Sequence, residues 1–211
     1  MGPTKQEMLE HQLKGRDISD PNVLLAMWEI DRTLFVPEEL RERAYEDKAQ
    51  PIGMEQTISQ PYIVAYMAQA LRLSLNERVL EVGTGCGYNA AVLSRLVAQV
   101  YSIEVIEWLT QLARENIQKA GIHNVTTRHG DGFRGWPEEA PFDAIILTAA
   151  PPAIPEPLKH QLRIGGRLLA PVGSNLQKLV MLIRHSESYF EERELIPVRF
   201  VPMTGEAQKR G

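Results

Sequence analysis

From residue 61 onward the chain alternates short apolar runs with amphipathic stretches, and few folds accept that pattern. "RVLEVG" (residues 78–83) has the length and side chains of a buried strand, and "NAAVLSRLV" (89–97) those of a helix. "QVYSIE" reads as a second strand, "EWLTQLARENIQKAG" as a helix closed by Gly121, and "NVTTRHG" as a third strand. "FDAIILTAA" is a fourth strand, too apolar to face water on either side. "IPEPLKHQL" reads as a short helix and "GRLLAPVG" as a fifth strand. "KLVMLIRHS" and "YFEERELIPVRFVPM" follow with no helix between them, so they read as an antiparallel edge pair. Strands joined through helices pair in parallel and need cover on both faces. The expectation is an α/β fold: a doubly wound, mostly parallel, seven-stranded Rossmann-like sheet with ligands at the carboxyl ends of its strands.

Residues 1–50 read as a helical extension packed on this core, and residues 51–211 as the sheet-bearing domain. In "SDPNVLLAMWEI", Ser19 or Asp20 can cap a helix and Pro21 suits its first turn. Val23, Leu24, Met27, Trp28 and Ile30 then recur at helical spacing. "VPEELRERAYEDK" suggests a second short helix with glutamates at its positive end. The stretch "PIGMEQTISQPYIV" (51–64) reads as a polar linker with one charge, Glu55. Gln60 precedes a proline and is pushed towards an extended conformation, while Pro61 starts the helix "YIVAYMAQALRL". Thr57 to Gln60 thus approach the positive end of that helix, where hydroxyl and N–H donors can meet an anion.

A net charge of −4 gives no chain-wide footprint for nucleic acid; only the end, "QKRG", is locally basic. The single cysteine, Cys86, excludes an internal disulfide and a cysteine-cluster metal site, and no metal is expected. The polar N-terminus "MGPTKQEMLEHQLKGRD" is neither a signal peptide nor a membrane segment. A cytoplasmic monomer without nucleic-acid or membrane partners is the expectation.

"EVGTGCGY" (81–88) follows a strand and opens a helix, the context in which a glycine-rich loop carries meaning. Its glycines, Gly83, Gly85 and Gly87, bracket Thr84 and Cys86 in a G-x-G-x-G spacing, one residue short of the dinucleotide fingerprint. The second strand ends in Glu104, about 20 residues after the first glycine, where a carboxylate can accept both hydroxyls of a ribose. The third ends in "HGDGF", which puts Asp131 at the same edge, where it can accept from an adenine amino group. NAD and S-adenosylmethionine both fit these contacts. The glycine spacing and the Glu-bearing first strand favour S-adenosylmethionine, with Glu81 facing its amino-acid end.

The segments "LFVPEELRERAYED", "PIGMEQTISQPYIVA", "VLEVGTGCGYNAAVL", "VYSIE", "GDGFRGWPEEAPFDAIILTAAPPAIPEPLKHQLRIGGRLLAPVG" and "FVPMTG" resemble the protein-L-isoaspartate O-methyltransferase family over residues 35–205. The resemblance implies methyl transfer from S-adenosylmethionine to the α-carboxylate of L-isoaspartyl residues in damaged proteins and peptides, whose esters then cyclise to succinimides. It implies Ser59 as the active-site serine and Thr57 and Ile58, with Ser59, as lining of the cofactor pocket. Gly83, Gly85, Glu104, Asp131, Gly132 and Thr204 carry over as cofactor or near-site positions. It also implies that the last two strands are exchanged relative to most methyltransferases. Cys86 stands where serine is usual, and the first 30 residues show no family pattern.

A carboxylate nucleophile with a pKa near ~4 is ionised at neutral pH, so no general base is needed. None of His123, His129 and His160 is expected to take a chemical part. A nucleic-acid amine methyltransferase would carry Asn/Asp-Pro-Pro-aromatic after the fourth strand, where this chain has "TAAPPAI". A metal-dependent small-molecule O-methyltransferase would need convergent carboxylates. A catalytically silent adenosine-binding module is the remaining alternative.

Overall fold

The computed structural model describes residues 2–209, the Lys209 side chain excepted, so the basic chain end lies mostly outside the described residues. The extension is assembled from short pieces. α1 (Lys5–Glu7) is opened by a capping box between Thr4 and Glu7 and runs on into a π-helix, Met8–Lys14. α2 (Pro21–Glu29) is capped by Asp20, whose carboxylate accepts from the Asn22 and Val23 amides. The helix expected in "VPEELRERAYEDK" is instead a 3-10 segment, Glu38–Arg43. Its amides bond back three residues, Leu40 to Pro37 and Ala44 to Arg41, and beyond it the side chains of Gln50 and Arg32 bond the Arg43 and Ala44 carbonyls.

The expected polar linker is a hairpin. β1 (Gln50–Gly53) pairs antiparallel with β2 (Gln56–Ile58), and Gln50 lies opposite Ile58. Its turn residues, Met54 and Glu55, both take left-handed φ, 52° and 59°. Hairpin turns with two such residues usually advertise themselves as Asn-Gly, and this one does not.

α3 (Pro61–Leu71) leads to β3 (Arg78–Val82), α4 (Tyr88–Leu93), β4 (Gln99–Glu104), α5 (Glu107–Lys119) and β5 (Val125–His129). β6 (Phe142–Leu147), α6 (Glu156–His160), β7 (Leu162–Val172), β8 (Gln177–Arg184), β9 (Phe190–Val198) and α7 (Glu206–Lys209) complete the chain. α4 stops four residues short of Val97: the Ser94 hydroxyl takes the Ala91 carbonyl, and the Arg95 and Leu96 amides bond back only three residues, to Val92 and Leu93. The seven-stranded sheet has the order β5-β4-β3-β6-β7-β8-β9. β3 to β7 pair in parallel, and β8 and β9 join antiparallel in chain order, the arrangement the resemblance implied. Val82 is level with both Ile103 and Leu147, so β3, β4 and β6 end at one height.

Apolar side chains cover both faces. One cluster joins Met8, Leu13, Val23, Met27 and Phe35 of the extension to Ala65, Ala68, Tyr88 and Val92. The other packs Leu80, Phe142, Ile145 and Leu168 against Trp136, Leu158 and Met203. The extension is thus built into the same apolar layer as α3 and α4. No helix among the described residues is long and apolar enough to cross a membrane.

A buried fork ties the two ends of this layer together. Arg167 of β7 donates to both carboxylate oxygens of Glu77 at 2.7 Å and also to the Arg72 carbonyl at 2.9 Å. Burial alone would raise the Glu77 carboxyl, yet the bonds and charge of Arg167 hold it below the usual range. Glu77→Gln strands the guanidinium and is expected to cost about 2–4 kcal/mol in chemical denaturation at pH 7. The loss should shrink as pH falls through the depressed Glu77 value, since that bond is present only while the carboxylate is ionised.

Candidate active site

The level ends of β3, β4 and β6 open into a cavity. Its floor is backbone. At Gly83 the chain takes φ 99°, and a Cβ there would fall inside the Thr148 hydroxyl at the end of β6. At Gly132 a Cβ would run into the Val82 side chain. Both positions demand glycine, and the missing side chains let a ligand lie directly on the loop. Thr148 Oγ1 donates to the Val82 carbonyl at 3.2 Å and also bonds the Gly83 carbonyl, locking β6 to the turn.

Glu104 enters from the end of β4 and is aimed by two amides. Gly85 N–H donates to Oε2 at 2.8 Å and Ile106 N–H to Oε1 at 3.0 Å. Its carboxylate is the single charged side chain among the described residues lining the cavity. Val82, Ile103, Ile106 and Met203 supply apolar wall. The roof comes from the hairpin and from the chain beyond β9. Gln56, Thr57, Ile58 and Ser59 line one side. Residues 201–204 line the other, drawn back across the sheet by backbone bonds between Ala150 and both Val201 and Met203.

Most of the expected positions meet here: Thr57, Ile58, Ser59, Gly83, Thr84, Gly85, Glu104, Gly132 and Thr204 all line the cavity. Three, Glu81, Gly87 and Asp131, do not line it. Glu81 is fully buried behind the loop, its carboxylate accepting from Asn89 Nδ2 at 2.8 Å and from the Ser102 hydroxyl. It therefore braces the loop from beneath instead of facing a ligand. Gly87 is the cap position of α4, turned towards Ile117 and Ala113. The Asp131 carboxylate accepts from the Phe133 amide at 2.9 Å and the Glu206 amide at 2.8 Å, shaping the turn that delivers Gly132. Tyr88, Asn89, Thr148, Ala149 and residues 201–203 were missed. For Thr148, a polar residue ending a strand of apolar ones was the available signal; for residues 201–203 it was the segment "FVPMTG", although the bridge that brings them in is long-range.

A second, open cleft meets the cavity from outside. Thr57, Ser59, Thr148 and Val201 border both spaces, so they form the partition between them. Arg16 of the extension and Arg199 line the outer side, with the Arg16 guanidinium carbon 3.2 Å from the centre of the Tyr62 ring.

Burial pushes the Glu81 carboxyl up to about 7, opposed in part by the Ser102 and Asn89 bonds. A native value above the unfolded 4.5 means that the folded protein keeps a proton the unfolded chain has released. Stability from this group is therefore fullest below the unfolded value and is lost as pH rises through about 7. Between pH 5 and pH 8 wild type should lose on the order of 2 kcal/mol that Glu81→Gln does not lose, read by urea denaturation. Equal losses in the two proteins would refute this.

The family model described as "Protein-L-isoaspartate(D-aspartate) O-methyltransferase (PCMT)" matches residues 3–208. A protein-L-isoaspartate O-methyltransferase of Pelobacter propionicus is 53% identical over 203 residues, which span 95% of this chain and 90% of the relative. A solved protein-L-isoaspartate O-methyltransferase superposes with a TM-score of 0.86 at 30% identity, over 97% of this chain and 67% of the other. A Plasmodium falciparum structure of that description, in complex with S-adenosyl-L-homocysteine, gives 0.84 at 26% identity, over 96% and 99%. With a match along nearly its whole length, this chain belongs to the protein-L-isoaspartate(D-aspartate) O-methyltransferase family.

Proposed function

We infer that this protein transfers the methyl group of S-adenosylmethionine to the free α-carboxylate of L-isoaspartyl residues in damaged proteins and peptides, which starts their repair through a succinimide. One observation carries the reading beyond the family relation: Ser59 borders both the cavity and the cleft. A carboxylate arriving from the cleft and a cofactor held in the cavity can therefore meet along the partition that Ser59 shares with Thr57, Thr148 and Val201.

The cavity suits S-adenosylmethionine by its donors and its shape. Its floor is glycine backbone, its one lining charge is an acid, and its walls are largely apolar. S-adenosylmethionine supplies a methyl group on a sulfonium, which passes to the carboxylate oxygen as the carbon–sulfur bond breaks and its electron pair stays on sulfur. Glu104 is proposed to hold the ribose hydroxyls, with Gly83, Thr84 and Gly85 offering backbone at the loop. Thr57, Ile58, Gly132 and Thr204 close around them. Glu81, Gly87 and Asp131 are proposed to support these positions from behind.

Ser59 is proposed to donate one hydrogen bond to the substrate carboxylate and to keep its oxygen in line with the methyl group. Positioning of this kind is the main source of rate when the nucleophile is already ionised. No histidine, lysine or arginine appears among the described residues lining the cavity, consistent with a reaction that moves no proton in its bond-making step. The guanidinium groups of Arg16 and Arg199 in the cleft favour the approach of an anion. Ala149, at the exit of β6, offers no side-chain acceptor that would hold an amine, which favours a carboxylate substrate over a nucleobase. We take the protein to work as a cytoplasmic monomer without nucleic-acid or membrane partners, in keeping with its net charge of −4 and its single reduced, buried Cys86.

The test is transfer of tritiated methyl from S-adenosylmethionine to an isoaspartyl peptide, with the aspartyl peptide and RNA as controls. Base-labile label in the isoaspartyl peptide alone is expected; label in RNA alone would overturn the reading. Ser59→Ala should lower kcat about tenfold or more while S-adenosylhomocysteine affinity stays within about threefold of wild type. Glu104→Ala should do the reverse in emphasis, weakening S-adenosylhomocysteine binding about tenfold or more in a calorimetric titration.

A further inference from the structure

Arg32 is fully buried, yet among the described residues no carboxylate pairs with it. Its guanidinium is met by two carbonyls and an aromatic face. Nε donates to the Ala44 carbonyl and Nη2 to the Ser59 carbonyl, each at 2.7 Å. The guanidinium carbon stands 4.7 Å from the centre of the Tyr88 ring, and Tyr88 lines the cavity as the first residue of α4. Burying a charge without a counter-charge is costly, and an apolar side chain of the same length would fill the space without that cost. A position meant only for packing has no use for a guanidinium.

The bond to Ser59 falls where the backbone has little other support. β2 ends at Ile58 and α3 begins at Pro61, so Ser59 lies between two elements and belongs to neither. Gln60 is anchored separately through its own side chain to the Asp47 carbonyl at 3.0 Å. Arg32 itself is fixed at the start of a 3-10 turn, Arg32–Phe35, whose cap Asp31 also accepts from the Tyr45 hydroxyl at 2.8 Å. The fork thus reaches from a rigid corner of the extension to the carbonyl of the residue that divides cavity from cleft.

We propose that Arg32 is a positioning residue for the methyl transfer: by holding the Ser59 carbonyl from the buried side, it sets the orientation in which the Ser59 hydroxyl meets the substrate carboxylate. This rests on the role given to Ser59 under the proposed function. It assigns to the extension a part in catalysis, made through Ser59 and Tyr88 and without contact to the substrate. A lysine at this position keeps the charge but cannot reproduce the planar fork, and a methionine removes both charge and donors.

The experiment is a double-mutant cycle on the full-length enzyme, with Arg32→Met and Arg32→Lys each made alone and together with Ser59→Ala. Turnover on an isoaspartyl peptide and S-adenosylhomocysteine affinity are measured well below each variant's melting temperature. Arg32→Met is expected to lower kcat about ten- to a hundredfold with cofactor affinity within about threefold, and Arg32→Lys to recover part of the loss. In the Ser59→Ala background Arg32→Met should cost less than about twofold more, because the group it orients is gone. Multiplying losses, or cofactor affinity falling in step with kcat, would overturn the assignment and leave a scaffold role. So would wild-type kcat in Arg32→Met. If Arg32→Met does not fold, Arg32→Lys carries the cycle, and failure of both to fold also overturns it. Wild-type turnover in Ser59→Ala would instead refute the reading of Ser59, and an inactive wild type that of the reaction.

Discussion

Gly83 and Thr148 sit so close that no side chain fits between them, and the cavity exists because of that contact. β3 must turn sharply at its carboxyl end while β6 continues beside it, and the Thr148 hydroxyl bonds the carbonyls on the inner side of the turn. With that turn closed, the Gly83 and Thr84 amides both donate to the Ile103 carbonyl of the neighbouring strand, and the Gly85 amide aims Glu104. The arrangement is one of successive dependence. The parallel register puts the strand ends level, the missing Cβ lets the turn close, and the turn directs the acid.

Beneath the loop lies a buried polar set of Glu81, Ser102, Thr84 and Asn89. Its members satisfy one another, which a low-dielectric interior requires. The glycine loop is therefore held from below by a carboxyl group that prefers its neutral form near pH 7 and from the side by Thr148. The roof is held by other means. The hairpin and residues 56–59 depend on Arg32 and on the Asp47 carbonyl, and residues 201–204 depend on a bridge to Ala150. Floor and roof are also joined, through the Arg32 guanidinium over the Tyr88 ring and through the Asp131 carboxylate on the Glu206 amide.

How much of this could be read beforehand differs element by element. β3, β4 and β6 were legible because their apolar runs are short, bounded and separated by helical periodicity. The hairpin was not, because Met54-Glu55 takes left-handed angles that its residue types do not announce. The early stops of α4 and of the 3-10 segment, Glu38–Arg43, were equally silent, since they turn on which side chain takes a carbonyl at the helix end, Ser94 at Ala91 and Gln50 at Arg43. The burial of Glu81 was not legible either: strand alternation does not say which face of a central strand points into a loop and which lies beneath it.

The sequence by itself determined the sheet class, the glycine turn, the acid at the end of β4 and the polar strip that carries Ser59. Each follows from local chemistry: periodicity, the lack of a Cβ, or a proline that starts a helix. Only the tertiary structure decided that Ser59 divides two spaces and that residues 201–204 return to close one of them. It alone placed Arg32 under the serine it supports. These are relations between residues far apart in the chain, fixed by which carbonyl each donor reaches once the apolar layers have packed, and no local pattern encodes them.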